Sequence, residues 1–302
     1  MGMGKSQEIC LLCNNELVRE KKYPVKKGYK NILGFKKIKF CNHCQLGIAF
    51  PRKTQKELDQ YYDSGKYWQK TVNENIYLSM HEKNQAEWRI KKCLPYISSF
   101  SEKINVLDIG AGHGWIVYWL NKYCKDKIFG IDLIEPDHKL LKNISISDYS
   151  FAVNKISNIN TNLKKYDLVF LNHVLEHSAD PYYFINKTIS TVNSGGLVYV
   201  EVPHDDWKYK NSVFPHTIFF TDNALTVFGK KLNINTLICN SFGRSRVKSN
   251  RVKKIYNRIY TILFSLGAKF CCYRLCSYAD SHLWKYNKSN NDGIWLQWIF
   301  KC

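Results

Sequence analysis

Two pairs of cysteines near the start of the sequence have the spacing of metal ligands. Cys10 and Cys13 form one C-x-x-C pair, and Cys41 and Cys44 form the other. Each pair presents two thiolates from one tight turn, and two such turns close a tetrahedral Zn2+ site that has no open position. The spacing therefore predicts a structural zinc site. The alternatives are four buried free cysteines, or His43 in place of one thiolate.

A glycine-rich turn after a short β-branched run indicates a cofactor site. The run contains Asp108, and the turn that opens the next helix has glycines at alternate positions, Gly110, Gly112 and Gly114. Glycine lets the backbone approach a ligand closely, and a helix N-terminus offers free N–H groups. An acidic residue just before the turn would repel a pyrophosphate. It suits a ligand with an ammonium or a sulfonium group, such as the methionine end of S-adenosylmethionine.

Asp132 ends the second predicted strand and adds to this pattern. A carboxylate at the end of such a strand can accept hydrogen bonds from both hydroxyls of a ribose. The combination predicts a binding site for a nucleoside cofactor. The alternative is a glycine turn that only packs a helix against a strand.

Three histidines follow the carboxyl ends of predicted strands, where open α/β sheets bind their ligands. They are His177, His204 and His216. Histidine is the usual general base near neutral pH, so each of these side chains could take a proton from a bound substrate. His216 and His177 are the predicted catalytic residues. The alternative for each is a structural hydrogen bond.

Near-continuous apolar strands alternate with helices after residue 100, which predicts a mostly parallel sheet with helices on both faces. A helix is predicted from Tyr77 to Leu94, where Pro95 would stop it, and another from Pro181 to Val192. Four segments are expected: a zinc-ribbon module at 1–50, a linker or lid at 51–80, the catalytic core at 81–240, and a C-terminal substrate-side extension with a closing strand at 241–302.

The chain is strongly basic, with 45 Lys and Arg against 25 Asp and Glu and a formal net charge of +20. This charge favours anionic partners, which include nucleic acid, phosphorylated substrates and an anionic membrane surface. The alternative is a lysine-rich solvated surface. The polar N-terminus has no signal region, so we expect a cytoplasmic protein whose cysteines bind metal or are buried rather than form disulfides.

The segment Arg251–Arg274 is basic and aromatic and carries apolar residues near helical spacing. It could lie on the surface of a membrane. The alternative is a helix that packs into the core.

Several of these motifs occur together in one family. Asp108–Trp115, Asp132, Tyr166–Pro181 and Ser194–Leu197 together resemble the class I S-adenosylmethionine-dependent methyltransferases over roughly residues 80 to 240. The resemblance implies a Rossmann-like sheet of seven strands with the last strand antiparallel. Carried over by motif position, the implied cofactor-binding residues are Asp108, Gly110, Gly112, Gly114, Asp132, Asn172 and His173. Asn172 and His173 would also line the methyl-transfer site.

The N-terminal part is similar to that of zinc-ribbon methyltransferases, including sugar C-methyltransferases and enzymes of surface-polysaccharide biosynthesis. The similarity rests on Cys41–Pro51, Tyr61–Tyr62 and Tyr67–Trp68. Sugar C-methyltransferases place a histidine in a Tyr-Asp-Glu-His context, whereas Phe214 and Pro215 precede His216 here. Both O- and C-methylation therefore stay open.

The resemblance implies methyl transfer to a small molecule, with a sugar or sugar-nucleotide acceptor as the leading hypothesis. The second hypothesis is an RNA methyltransferase that uses the zinc ribbon for recognition, because zinc ribbons and high positive charge also occur together there. A third is a non-catalytic binding protein that keeps the cofactor fold.

Overall fold

A central parallel sheet forms where β-branched and apolar runs alternate with amphipathic helices. In the described part of the chain it has seven strands, in the order β10-β11-β8-β7-β4-β5-β6. Their bounds are β4 Ile104–Ile109, β5 Ile128–Ile134, β6 Ala152–Lys155, β7 Tyr166–Asn172, β8 Val192–Pro203, β10 Asn235–Ser245 and β11 Gly293–Lys301. The computed structural model describes residues 8–26, 30–64, 75–137, 140, 142, 144, 149–156, 164–245, 251–270, 272, 274–276, 278–279 and 293–302.

Strand direction matches the predicted fold class. Neighbours from β6 to β8 pair in parallel, and β11 pairs antiparallel with both β8 and β10. The sheet is therefore mostly parallel and Rossmann-like with one antiparallel strand, as predicted, and the carboxyl ends of its parallel strands meet at one edge.

Helices cover both faces of this sheet because alternate residues of each strand point to opposite sides. Val106 and Phe170 belong to a core with α2 (Asn75–Ser98) and α3 (Trp115–Cys124). Leu107 and Val169 belong to a core with α4 (Pro181–Ile189) and α5 (Asp222–Leu232). Two further helices with described bounds are α1 Gln55–Asp63 and α6 Arg251–Lys269.

A second, smaller sheet forms at the N-terminus. It contains β1 Leu17–Lys22, β2 Lys37–Cys41 and β3 Gly47–Phe50, followed by β9 Ile218–Phe219. β3 pairs antiparallel with β9, so a strand from far along the chain completes this sheet. The core under the sheet is continuous with that of the large sheet, since Leu46 and Val200 belong to one buried cluster.

Two predicted helix ends were wrong. α2 continues past Pro95 to Ser98, because burial of Ile97 against the sheet core offsets the hydrogen bond that proline cannot donate. α4 ends at Ile189 rather than Val192, since Val192 is buried and pairs with Tyr166 in the sheet.

Tyr67 and Trp68, on which part of the N-terminal similarity rests, lie outside the described residues. None of the described helices combines the length and the apolar character needed to cross a bilayer.

Candidate active site

The glycine-rich turn joins β4 to α3 at the carboxyl edge of the large sheet. Gly110, Gly112 and Gly114 all have positive φ, as the turn requires. A Cβ on Gly110 would lie 2.5 Å from Cγ2 of Val174, so only glycine lets the loop after β7 close onto the turn. The turn and that loop thus form one continuous surface.

Asp108 lies beneath this turn and is 1% exposed. Neither of its carboxylate oxygens has a hydrogen-bond partner among the described residues. Burial raises the pKa of Asp108 to about 7. A buried carboxylate with both oxygens unsatisfied fits a ligand that brings a hydrogen-bond donor with positive charge, such as an amino-acid ammonium group.

Glu135 lies directly after β5 and faces the glycine turn. Its carboxylate accepts hydrogen bonds from the backbone N–H of Gly112 at 2.8 Å and from that of Asp137 at 3.0 Å. Burial raises its pKa. The sequence reasoning missed this residue because β5 was expected to end at Asp132, whereas the strand runs on to Ile134.

Asp132 therefore lies within β5 and is engaged by other protein groups. Its carboxylate accepts hydrogen bonds from Nδ2 of Asn154 at 2.8 Å and from the Tyr166 hydroxyl at 2.6 Å. Nζ of Lys164 lies 2.9 Å away. Burial raises the pKa of Asp132, but these partners outweigh it and the net shift is downward. The carboxylate is ionised and already well satisfied.

Asn172 is the last residue of β7, and His173 follows it directly. In the part of the chain that the structure covers, the buried Oδ1 of Asn172 has no hydrogen-bond partner. His173 has a φ of 55°, a conformation that costs energy for a residue with a Cβ. Its Nδ1 lies 3.1 Å from Glu176, and its Nε2 lies 3.0 Å from Glu201. Two carboxylates thus fix the ring.

Glu201 and Arg89 form a buried ion pair behind His173. Nε of Arg89 donates to Glu201 at 2.9 Å, and the Tyr199 hydroxyl donates to the same carboxylate at 3.0 Å. Burial raises the pKa of Glu201, but the charge of Arg89 outweighs burial and holds the pKa well below its usual range. Burial lowers the pKa of His173, but its hydrogen bonds to Glu176 and Glu201 have the larger effect. The net result is a raised pKa.

His177 and His216 lie side by side in front of Glu176. Their ring centroids are 4.9 Å apart. One ring nitrogen of each and one carboxylate oxygen of Glu176 lie within 4.8 Å of one another. Burial lowers the pKa of His177 to about 3, so this ring is neutral at physiological pH. The structure thus brings together the two histidines that the sequence singled out.

Asp206 is a buried acid that lies close to His216. Its Oδ2 lies 2.9 Å from Nδ1 of His216 and 3.1 Å from Nζ of Lys210. Burial raises the pKa of Asp206, but His216 and Lys210 lower it further, to about 2. A buried aspartate beside a histidine ring stabilises the imidazolium form of that ring. His204, the third histidine candidate, is instead buried with its Nδ1 3.0 Å from the carbonyl of Gly293.

Tyr62 reaches this group from α1, the helix that follows the cysteine module. Its hydroxyl lies 2.7 Å from Nδ1 of His177. α1 begins with a capping box in which Thr54 and Glu57 satisfy each other's backbone N–H groups, so the position of the helix is well defined. A residue outside the large sheet thus contributes to the site.

The four cysteines predicted as metal ligands lie together at the start of the small sheet. Their sulfurs are within 4.8 Å of one another, and the pairs Cys10–Cys44 and Cys13–Cys41 are each 3.4 Å apart. In a tetrahedral zinc–thiolate site the sulfurs are about 3.8 Å apart. The observed distances of 3.4 Å are close to this spacing, so the four cysteines fit a zinc ion. His43 is exposed and is not part of the cluster found among the described residues.

The chain is similar to two curated methyltransferases over part of its length. A tRNA U34 carboxymethyltransferase of Nautilia profundicola is 24% identical over 56% of this chain and 57% of its own length. A mitochondrial ubiquinone biosynthesis O-methyltransferase of Dictyostelium discoideum is 27% identical over 33% of this chain and 35% of its own length. The chain therefore spans about half or less of the curated relatives it matches.

Among solved structures, a SAM-dependent methyltransferase from Archaeoglobus fulgidus is 15% identical, with a TM-score of 0.46 over 73% of this chain and 94% of that chain. Residues 80–232, about half of the chain, match the family described as methyltransferase domain. That range contains the glycine turn, Asp108 and the histidine pair. The chain therefore belongs to the methyltransferase family, and residues 80–232 are its methyltransferase domain.

Proposed function

We propose that this enzyme methylates a sugar or another small glycan precursor, at a hydroxyl or an activated carbon. The observation that carries the proposal is the pair His177 and His216, which stands at the carboxyl edge of the sheet with the buried acids Glu176 and Asp206 behind it. Such a pair can bind a hydroxyl and remove its proton. A nucleotide-linked acceptor would also gain from the high positive charge of the chain.

S-adenosylmethionine would occupy the surface above the glycine turn. The unsatisfied carboxylate of Asp108 would receive the ammonium group, and Gly110, Gly112 and Gly114 would let the backbone approach the methionine and the sugar. Asn172 and His173 would line the methyl-transfer side. When bound, the cofactor supplies an electrophilic methyl group on a sulfonium.

The ribose contact has two candidates. Asp132 is the residue that the family resemblance implies, and Glu135 is the carboxylate that lies at the end of β5 against the turn. We propose that Glu135 shares the ribose with Asp132 or replaces it, because the oxygens of Asp132 already have three partners.

His216 is the proposed general base. Asp206 stabilises the imidazolium that forms when His216 takes the proton of the acceptor. His177 is neutral at the working pH and would hydrogen-bond the acceptor and orient it. Positioning of the acceptor oxygen or carbon in line with the methyl group supplies much of the rate enhancement.

The cysteine cluster is the proposed site of a structural Zn2+. Four sulfurs that are close enough for tetrahedral ligation leave no open position for chemistry. We propose residues 1–50 as a zinc ribbon, 51–80 as a linker or lid that carries Tyr62, 81–240 as the catalytic core, and 241–302 as a substrate-side extension.

The first experiment is calorimetric binding of S-adenosylhomocysteine. Wild type is expected to bind at micromolar concentration, and Asp108→Asn is expected to bind at least tenfold more weakly because it removes a charge-assisted hydrogen bond. Asp126→Asn, an exposed carboxylate after α3, is the matched control. Sugar nucleotides are then screened for transfer of a labelled methyl group. His216→Gln is expected to lower kcat by about 10²- to 10⁴-fold and leave cofactor affinity unchanged.

A second candidate is methylation of RNA. The net charge of +20 and the similarity to a tRNA-modifying enzyme favour it. Incorporation of labelled methyl groups into bulk tRNA, with binding that weakens steeply with salt, would support this candidate over the sugar acceptor.

A further inference from the structure

α6 presents an exposed apolar stripe on one side. The stripe consists of Ile255, Ile259, Ile262 and Leu266, whose side chains are 62%, 50%, 52% and 42% exposed. Steps of four, three and four residues put them on one face of the helix. Phe270, which is 72% exposed, extends the stripe at its end. Soluble monomeric proteins rarely expose a contiguous row of large aliphatic side chains to water.

The opposite side of α6 already has its packing partners. Phe264 is 1% exposed and belongs to a buried cluster with Cys276, against which Met80 of α2 also packs. A Cβ on Gly267 would lie 2.9 Å from the backbone and the sulfur of Cys276, so the helix is held closely on this side. The exposed stripe is therefore not the face that anchors α6 to the protein.

The surrounding sequence is basic throughout. Residues 244–274 contain nine Arg and Lys and no Asp or Glu. Arg258, one helical turn from Ile255 and from Ile262, is itself exposed. Apolar side chains beside basic ones are the signature of a helix that lies in the interface of an anionic membrane.

From these observations we propose that α6 binds the surface of an anionic lipid bilayer, with the exposed stripe inserted at the level of the headgroups. A second copy of the chain is a poorer occupant, because two copies meeting through this face would bring like charges together in a region without any acidic residue. The proposal does not depend on the identity of the methyl acceptor.

Docking through α6 would hold the active site near the bilayer. α6 packs against the start of α2, where His81 contacts Phe264. The same helix carries Glu82, whose carboxylate lies 2.6 Å from Nδ1 of His113 in the glycine turn, and Arg89, which pairs with Glu201. The membrane-binding helix thus lies one helix away from the cofactor edge.

The test is sedimentation of the full chain with vesicles. One set is pure phosphatidylcholine, and the other is an equal mixture of phosphatidylcholine and phosphatidylglycerol. The triple variant Ile259→Gln, Ile262→Gln and Leu266→Gln removes the stripe. The double variant Phe129→Ser and Tyr183→Ser is the matched control, since these side chains are 66% and 68% exposed elsewhere on the surface. Circular dichroism and affinity for S-adenosylhomocysteine verify that each variant is folded.

We expect wild type and the control variant to bind the mixed vesicles at least about tenfold more tightly than the neutral ones, with binding that weakens as salt is added. The triple variant should lose about tenfold or more of this affinity. Equal binding by wild type and triple variant would overturn the proposal, as would absence of vesicle binding. It would also be overturned if the stripe instead mediated self-association in sedimentation velocity or binding to an acidic protein without lipid.

Discussion

The hydroxyl of Tyr62 lies 2.7 Å from Nδ1 of His177, across 115 residues of sequence. Tyr62 belongs to α1, directly after the cysteine module, and His177 belongs to the loop after β7 of the catalytic sheet. This contact joins the N-terminal part to the candidate active site. It also occupies Nδ1 of His177 and so fixes the orientation of the ring toward Glu176 and His216.

Tyr62→Phe tests this contact. The substitution keeps the ring, which packs at 5.1 Å from that of Tyr61, and removes only the hydroxyl. We expect kcat to fall about tenfold, because one lost hydrogen bond is worth about 1 kcal/mol and His177 loses its fixed orientation. Affinity for S-adenosylhomocysteine should stay unchanged. Tyr183→Phe, at an exposed position, is the control, and an unchanged kcat in Tyr62→Phe would show that the hydroxyl has no role in turnover.

Cofactor affinity should depend on pH through Asp108. Its pKa is raised to about 7 by burial, so the free enzyme carries a neutral acid below that pH. An ammonium ligand requires the ionised form, and binding below pH 7 must therefore release a proton. The affinity for S-adenosylhomocysteine is expected to be constant above about pH 7 and to fall up to about tenfold per pH unit below it.

Calorimetry in two buffers with different ionisation enthalpies measures the released proton directly. Asp108→Asn should bind weakly and with little pH dependence across this range. A wild-type affinity that stayed flat from pH 5.5 to 7 would contradict the assignment of the ammonium group to Asp108.

The buried ion pair of Arg89 and Glu201 should be costly to break from one side. Arg89→Met leaves the Glu201 carboxylate buried with its main counter-charge removed, and we expect a loss of about 3–5 kcal/mol in the free energy of unfolding. The double variant Arg89→Met and Glu201→Gln should be less destabilised than the sum of the two single variants. Urea unfolding followed by circular dichroism measures both. Strictly additive effects would mean that the pair is not coupled.

Zinc analysis and substitution of the predicted ligands test the cysteine cluster. The purified protein should contain one zinc per chain, and Cys13→Ser or Cys41→Ser should lower zinc content and thermal stability, since loss of a ligand opens a closed site. Cys239→Ser is the control, because this cysteine is exposed and far from the cluster in sequence. Wild-type protein without zinc but with full stability would refute the metal assignment.

The catalytic sheet and its edge could be predicted from local sequence patterns. The order of strand, glycine turn and helix around Asp108 is a signal contained in ten residues, and the alternation of apolar strands with helices determined the fold class. The position of the histidine pair could be predicted in the same way. His177 and His216 both follow predicted strands, and the segments after parallel strands meet at one edge of the sheet.

The groups that orient those histidines could not be predicted. Glu201 lies in an apolar strand, and its partner Arg89 lies 112 residues earlier on α2, in a helix with many charged residues. No spacing rule links two such positions, because only the topology of the fold brings them together. Glu135 was missed because the end of a strand is set by its pairing with a neighbour, and here Ile134 pairs with Ile109.

The pairing of β3 with β9 sets an order of events during synthesis. Ile218 follows Phe50 by 168 residues, and at about 5–20 residues per second the ribosome takes on the order of ten seconds or more to deliver it. Until then the outer edge of β3 has unpaired N–H and C=O groups, which other chains can capture. The nascent N-terminal sheet is therefore a place where chaperone contact would protect the chain from aggregation.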